Sequence, residues 1–147
     1  MLEMFDIGYE EIAIIRELWE KNRKYHEDTS EYFKEAYQGL DFHQRMKGFS
    51  NIDSASIKIT VVKNNDEYIG YCISTAIDGK GEVESVHVEE ASRGDGVGTR
   101  LVQEHLDWMR QKKCSVIGVT VSQENTATIG FYKKLGFLPN TLYMQQK

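Results

Sequence analysis

Between Ser56 and Val121 the apolar residues change their period twice, and that change decides the topology. Ile57, Ile59 and Val61 alternate with Lys58 and Thr60, Asn64-Asn65-Asp66-Glu67 makes a turn, and Ile69, Tyr71 and Ile73 resume the alternation. A period of two marks strands with one buried face, so this stretch is an antiparallel hairpin. Asp78-Gly79-Lys80-Gly81 turns the chain again into a further strand, Glu82 to Val88. Val97, Leu101, Val102, Leu106 and Met109 then recur at helical spacing, from about Gly96 to Gln111. Val116 to Val121 is almost continuously apolar, the pattern of a strand covered on both faces. Strand, helix and strand in that order form a right-handed crossover with parallel strands.

The flanks complete a mixed sheet. Leu2 to Asp6 predicts a short first strand. Ile12, Ile15, Leu18, Trp19 and Tyr25 share one helical face, and Tyr32, Phe33, Ala36, Tyr37 and Leu40 share another. His26-Glu27-Asp28-Thr29-Ser30 between them reads as a break and a new helix start, giving a front helix pair. A last helix runs from about Asn125 to Leu135 and stops at Gly136, and a final strand is expected near Thr141 to Gln146. The fold class is α/β, antiparallel in front and parallel behind.

The bulk properties narrow the partners. The 147 residues suit one domain over 1–147 with its own core. A net charge of −5 argues against nucleic acid as the main partner, because gripping phosphates needs a basic face. No apolar stretch approaches the roughly twenty residues of a membrane span. Met1 to Asp6 lacks the basic head and apolar middle of a signal peptide, so a cytoplasmic protein is expected. Cys72 reads as a small core residue, and Cys114 lies where a helix gives way to a strand. Neither they nor the four scattered histidines have metal-ligand spacing, so no metal is expected.

At the junction of the Glu82–Val88 strand with the following helix lies Arg93-Gly94-Asp95-Gly96-Val97-Gly98-Thr99. Glycines at alternate positions let backbone amides approach a ligand, and the helix start adds free N–H groups and the positive end of its dipole. Such a loop is built for a phosphate-bearing molecule. A P-loop would need lysine and then Ser or Thr after its last glycine, but Thr99-Arg100 follows Gly98. The dinucleotide fingerprint fails as well: its sixth position falls on Thr99 or Leu101 instead of glycine.

The loop does match Arg/Gln-x-x-Gly-x-Gly/Ala, as Arg93-x-x-Gly96-x-Gly98. Downstream, Asn125 precedes Phe131-Tyr132-Lys133-Lys134-Leu135-Gly136-Phe137, like an Asn-x-x-Ala…Tyr-x-x-x-Gly-Phe segment. With both motifs in this order the chain resembles the GNAT superfamily, the Gcn5-related N-acetyltransferases, over about Ser56 to Phe137. That resemblance implies the GNAT acyl-CoA N-acyltransferase fold, with the strand before the loop splayed from the one after it. It implies a loop from Arg93 through Gly94, Asp95, Gly96, Val97 and Gly98 to Thr99 that binds the pyrophosphate of acetyl-CoA. It further implies that Val86 and Val88 pair through their main chain with the pantetheine arm and that Asn125 hydrogen-bonds it. Asp95 and Thr128 depart from the family pattern, which often has a basic residue or glutamine at the first place and alanine at the second.

Acetyl transfer to an amine needs a neutral nucleophile, a polarised thioester and a proton for the departing thiolate. By the same resemblance Tyr132 is the candidate acid; its bland reading is an aromatic on the buried face of the last helix. Glu82 and Glu84, two apart on one strand, share a face and are candidates to take the amine's proton or to bind a cationic substrate, with Glu84 nearer the slot. His87 falls on the opposite face of a regular strand, where it is peripheral; a bulge would reverse that. Tyr25, His26 and Glu27 at the front helix junction can line an acceptor pocket, and Lys133 and Lys134 can reach nucleotide phosphates or simply be solvated. The implied activity is transfer from acetyl-CoA to a primary amine of a small molecule or peptide, in a ternary complex, by a monomer or homodimer. The alternative is a CoA-binding or sensing module of the same fold without catalysis.

Overall fold

Alternating residues become strands and the helical repeat becomes the long helix, in a computed structural model that describes residues 1–147. Strands β1 (Leu2–Ile7), β2 (Ile57–Asn64), β3 (Glu67–Ile77), β4 (Lys80–Val88) and β5 (Val116–Val119) lie side by side in that order. The first three pairings are antiparallel and β4–β5 is parallel. The β3–β4 connection is the two-residue turn Asp78-Gly79, with φ of 51° and 79°. Positive φ at both central residues gives the twist that a tight hairpin requires.

Each face of the sheet has its own core. On the front face Ile59, Val61, Tyr71 and Ile73 pack against Ile15, Leu18 and Trp19. These come from a 3₁₀ segment (Tyr9–Ile15) and helix α1 (Arg16–Thr29). Beyond the short helix α2 (Lys34–Gln38), helix α3 (Phe42–Lys47) adds Phe42 and Met46 to the same cluster. On the back face Val62, Cys72, Val83 and Val88 meet Val97, Leu101 and Met109 of α4 (Val97–Gln111). Val102 and Leu106 of α4 then pack on Tyr132 of α5 (Thr126–Lys134). No helix is long and apolar enough to cross a membrane.

Three local expectations change. Helix α1 runs through His26-Glu27-Asp28-Thr29 without a break, because the Glu27 carboxylate bonds Arg23 at 2.8 Å and Lys24 at 3.1 Å one turn back. Asp41 caps α3, accepting from the Gln44 amide at 3.0 Å, so the front holds three helices instead of a pair. No strand forms at 141–146: Leu142, Tyr143 and Met144 are adjacent large side chains without alternation, and all three are exposed. β5 is therefore the sheet edge. It ends at Val119, and Val116 is exposed, so it is not covered on both faces.

Candidate functional site

The glycine loop meets α4 without a side-chain cap. Gly94 has φ 91° and Gly96, the residue before the helix, has φ 77°. Both values lie in the left-handed region, and a Cβ at either place would touch nothing within 4 Å. Glycine is thus required there by backbone conformation, and the loop's outer side is open. The first amide to bond within the helix is Arg100, to the Gly96 carbonyl at 3.0 Å. The N–H groups of Val97, Gly98 and Thr99 precede it at the positive end of a four-turn helix. Asp95 is exposed. Arg93 turns inward, donating from Nε to the Val88 carbonyl at 2.9 Å with its guanidinium 5.7 Å from the Tyr25 ring centre. It ties the loop to the end of β4.

Beside the loop the sheet parts. β4 and β5 pair only from Lys80↔Val116 to Val83↔Val119, while β4 continues to Val88 with β3 alone beside it. The edge of β4 around Val86 and Val88 has no strand partner on the β5 side. At the parting point β4 carries one extra residue: Ser74 pairs Val83 and Ile73 pairs Ser85, so Glu84 is a bulge. From there on the faces exchange. Val86 and Val88 point into the α4 core, and His87, opposite Tyr71, joins Glu82 and Glu84 on the front face. The bulge thus reverses the position expected of His87 on a regular strand.

Glu84 has both oxygens engaged, Oε2 accepting from Thr75 Oγ1 at 2.7 Å and Oε1 lying 3.6 Å from Arg45 of α3. Glu82 is half-buried and opposite Thr75. His87 is buried beside a cavity of about 350 Å³ that it lines with Lys21, Tyr25, Glu89, Glu90 and Arg93. Its Nε2 is 3.2 Å from Glu89 Oε1, and Glu89 also pairs with Lys21 at 2.8 Å. Of the three residues at the front helix junction, Tyr25 alone faces this cavity. His26 stacks on Tyr37, and Glu27 is held by Arg23 and Lys24.

Asn125 caps α5. Its Oδ1 accepts from the Thr128 amide at 3.3 Å and from the Tyr25 hydroxyl at 3.1 Å. Both bonds use the carbonyl oxygen, which leaves the side-chain NH₂ as the free donor. The Thr128 departure from alanine leaves this cap intact, since only its backbone takes part. Tyr132 is buried between Phe131 and Phe137, and its hydroxyl has no hydrogen-bond partner. Burial raises its pKa, which keeps the phenol protonated. Lys133 and Lys134 are exposed.

Composition and spacing gave no sign of His105. It is fully buried in α4 and spans two strands, with Nδ1 2.7 Å from Ser74 Oγ and Nε2 2.8 Å from Thr60 Oγ1. Thr60 in turn donates to Asp6 at 2.6 Å. The Asp6 carboxylate can only accept, so the Thr60 oxygen receives the Nε2 proton and Ser74 donates to Nδ1. Burial pushes His105 down to about 3, so it is neutral. Next to Ser74, the buried Cys72 thiol is pushed up to about 12 and is chemically quiet.

The residues fit an acyl-CoA. Open backbone donors at the α4 N-terminus suit a diphosphate, a parted strand pair offers main-chain partners to an extended arm, and an unpartnered buried phenol suits a sulfur. A five-stranded mixed sheet whose last two strands are parallel and part beside a glycine loop defines the class as an acetyltransferase fold. Residues 13–137 match the Acetyltransferase (GNAT) family, and the chain belongs to that family. It is similar to the uncharacterized N-acetyltransferase YobR of Bacillus subtilis, 32% identical over 65 residues, covering 44% of this chain and 26% of that protein. Two further relatives are spanned over only 25% and 46% of their length. In fold it resembles a mutant of the BH1408 protein of Bacillus halodurans, with TM-score 0.75 at 13% identity over 99% of this chain and 98% of that one. It also resembles aminoglycoside N-acetyltransferase AAC(6')-Iy in complex with CoA, with TM-score 0.71 at 15% identity over 100% and 94%.

Proposed function

We propose that this protein transfers the acetyl group of acetyl-CoA directly to a primary amine of a small molecule or peptide, both substrates being bound together. The reading rests above all on the parting of β4 from β5 beside an uncapped helix N-terminus. In this reading the amides from Gly94 to Thr99 hold the pyrophosphate, with Arg93 fixing the loop and Asp95 turned to solvent. The β4 edge at Val86 and Val88 and the Asn125 NH₂ hold the pantetheine. When bound, acetyl-CoA supplies an activated acyl carbon. The protein supplies orientation, negative charge from Glu82 and Glu84 on the amine side, and the Tyr132 proton for the leaving thiolate. The CoA complex of a structural neighbour supports the choice of carrier.

The test has two stages. Acetyl-CoA is expected to raise the melting temperature with a saturable concentration dependence. Mass spectrometry over amines, polyamines, amino acids and peptides is then expected to find an acetylated product. Saturable binding with no product on any acceptor favours a CoA-binding module. No binding at all removes the proposal.

A further inference from the structure

We infer that His87, oriented by Glu89, is the base that takes the proton of the acceptor amine. This rests on the acetyltransferase reading above and names a residue within it. The Glu89 carboxylate only accepts, so the 3.2 Å contact fixes the His87 proton on Nε2 and leaves Nδ1 as a bare lone pair. His87 is buried, yet its Nδ1 is not among the buried polar atoms without a partner, which are only His26 Nδ1 and the Tyr132 hydroxyl. Nδ1 makes no hydrogen bond to the protein, and His87 lines the cavity of about 350 Å³ beside it. Tyr25 forms part of that cavity wall and bonds Asn125 at 3.1 Å, so the cavity adjoins the arm-binding side. His87 also lies on the stretch of β4 that β5 leaves uncovered. Glu84, by contrast, is held on both oxygens by Thr75 and Arg45.

The charges around the ring suit the task. Burial lowers the His87 pKa and Glu89 raises it, while Arg93 and Lys21 lower it further. Glu90 and Tyr25 complete the cavity wall, and Tyr71 faces the ring from β3. The imidazole is thus neutral at pH 7 and ready to receive a proton. In the step itself an R–NH₃⁺ proton passes to Nδ1 and the freed amine forms the C–N bond as the C–S bond breaks. The thiolate takes the Tyr132 proton, the phenolate recovers one from the new amide nitrogen through water, and His87 releases its own to solvent. One proton leaves per turnover.

The experiment uses acetyl-CoA with two probes, n-butylamine and hydroxylamine. The alkylammonium, with a pKa of about 10.4, needs a base at pH 7, whereas hydroxylamine is already a free base. His87→Gln is expected to lower the ratio of the butylamine rate to the hydroxylamine rate at least about a hundredfold, the low end of a general-base contribution of roughly 10²–10⁴. It is also expected to erase the rise of kcat/KM for butylamine below neutral pH. Glu89→Gln removes the charge that raises His87, so it moves that limb to lower pH while slowing butylamine less. An unchanged ratio in His87→Gln, or an unmoved limb in Glu89→Gln, overturns the assignment and leaves the acetyltransferase reading standing. Should His87→Gln fail to fold, the Glu89→Gln limb decides alone. Wild-type protein that shifts with acetyl-CoA yet acetylates neither probe overturns the base assignment, and one that does not bind acetyl-CoA overturns the underlying reading as well.

Discussion

His105 and Tyr132 occupy adjoining helices and are both out of water, yet they treat their polar atoms in opposite ways. His105 has partners on both ring nitrogens, in β2 and β3. The Tyr132 hydroxyl has none. A buried polar group without a partner costs about 1–3 kcal/mol, so one that is retained calls for an explanation. A fully bonded imidazole instead fixes α4 at one register on the sheet, which is a structural duty. On the reading proposed above, the difference separates a residue that holds the scaffold from one kept for the reaction.

The strongest way to break that contrast is Tyr132→Phe. We expect turnover to fall by roughly 10²–10⁴, with acetyl-CoA affinity nearly unchanged and melting temperature equal or slightly higher. A stable variant with wild-type turnover would show the orphan hydroxyl to be idle. Next in size, His105→Ala should lose roughly 2–4 kcal/mol in denaturant titrations, because a cavity opens and Ser74 and Thr60 each lose their bond to the imidazole. Its folded fraction should bind acetyl-CoA normally.

The same histidine gives the contrast a pH signature. His105 titrates near 6.5 in the unfolded chain and about 3 in the fold. Between those values the unfolded state binds more protons, so stability falls as pH drops through the window. Thermal melts of His105→Gln should show a shallower acid slope than wild type from pH 6 to 4. Smallest of the four, Asn125→Ala should cost about 1 kcal/mol through loss of the α5 cap. It should also weaken acetyl-CoA binding, since the free NH₂ disappears with the cap; loss of stability alone would make Asn125 purely structural.

The sheet and the long helix were legible because their periods are long and regular, and the loop because Arg93, Gly96 and Gly98 stand at fixed offsets. The C-terminal strand was misread where Leu142-Tyr143-Met144 supplied apolar content without alternation. The helix break at His26 was misread because the Arg23–Glu27 and Lys24–Glu27 pairs are only visible once the turn is built. His105 escaped notice because a polar residue on an apolar helix face gives no hint of which hydroxyls lie across from it. The position of His87 depended on a single bulge, which no local pattern in Glu82-Val83-Glu84-Ser85 announces.

That bulge makes the chemistry of β4 a matter of counting. A regular strand through Glu84 would alternate strictly from Val83 onward, carrying the imidazole to the oily side of the sheet and Val86 into the polar hollow. One bulged residue thereby sorts the end of β4 into groups that face the polar hollow and groups that face the oily side.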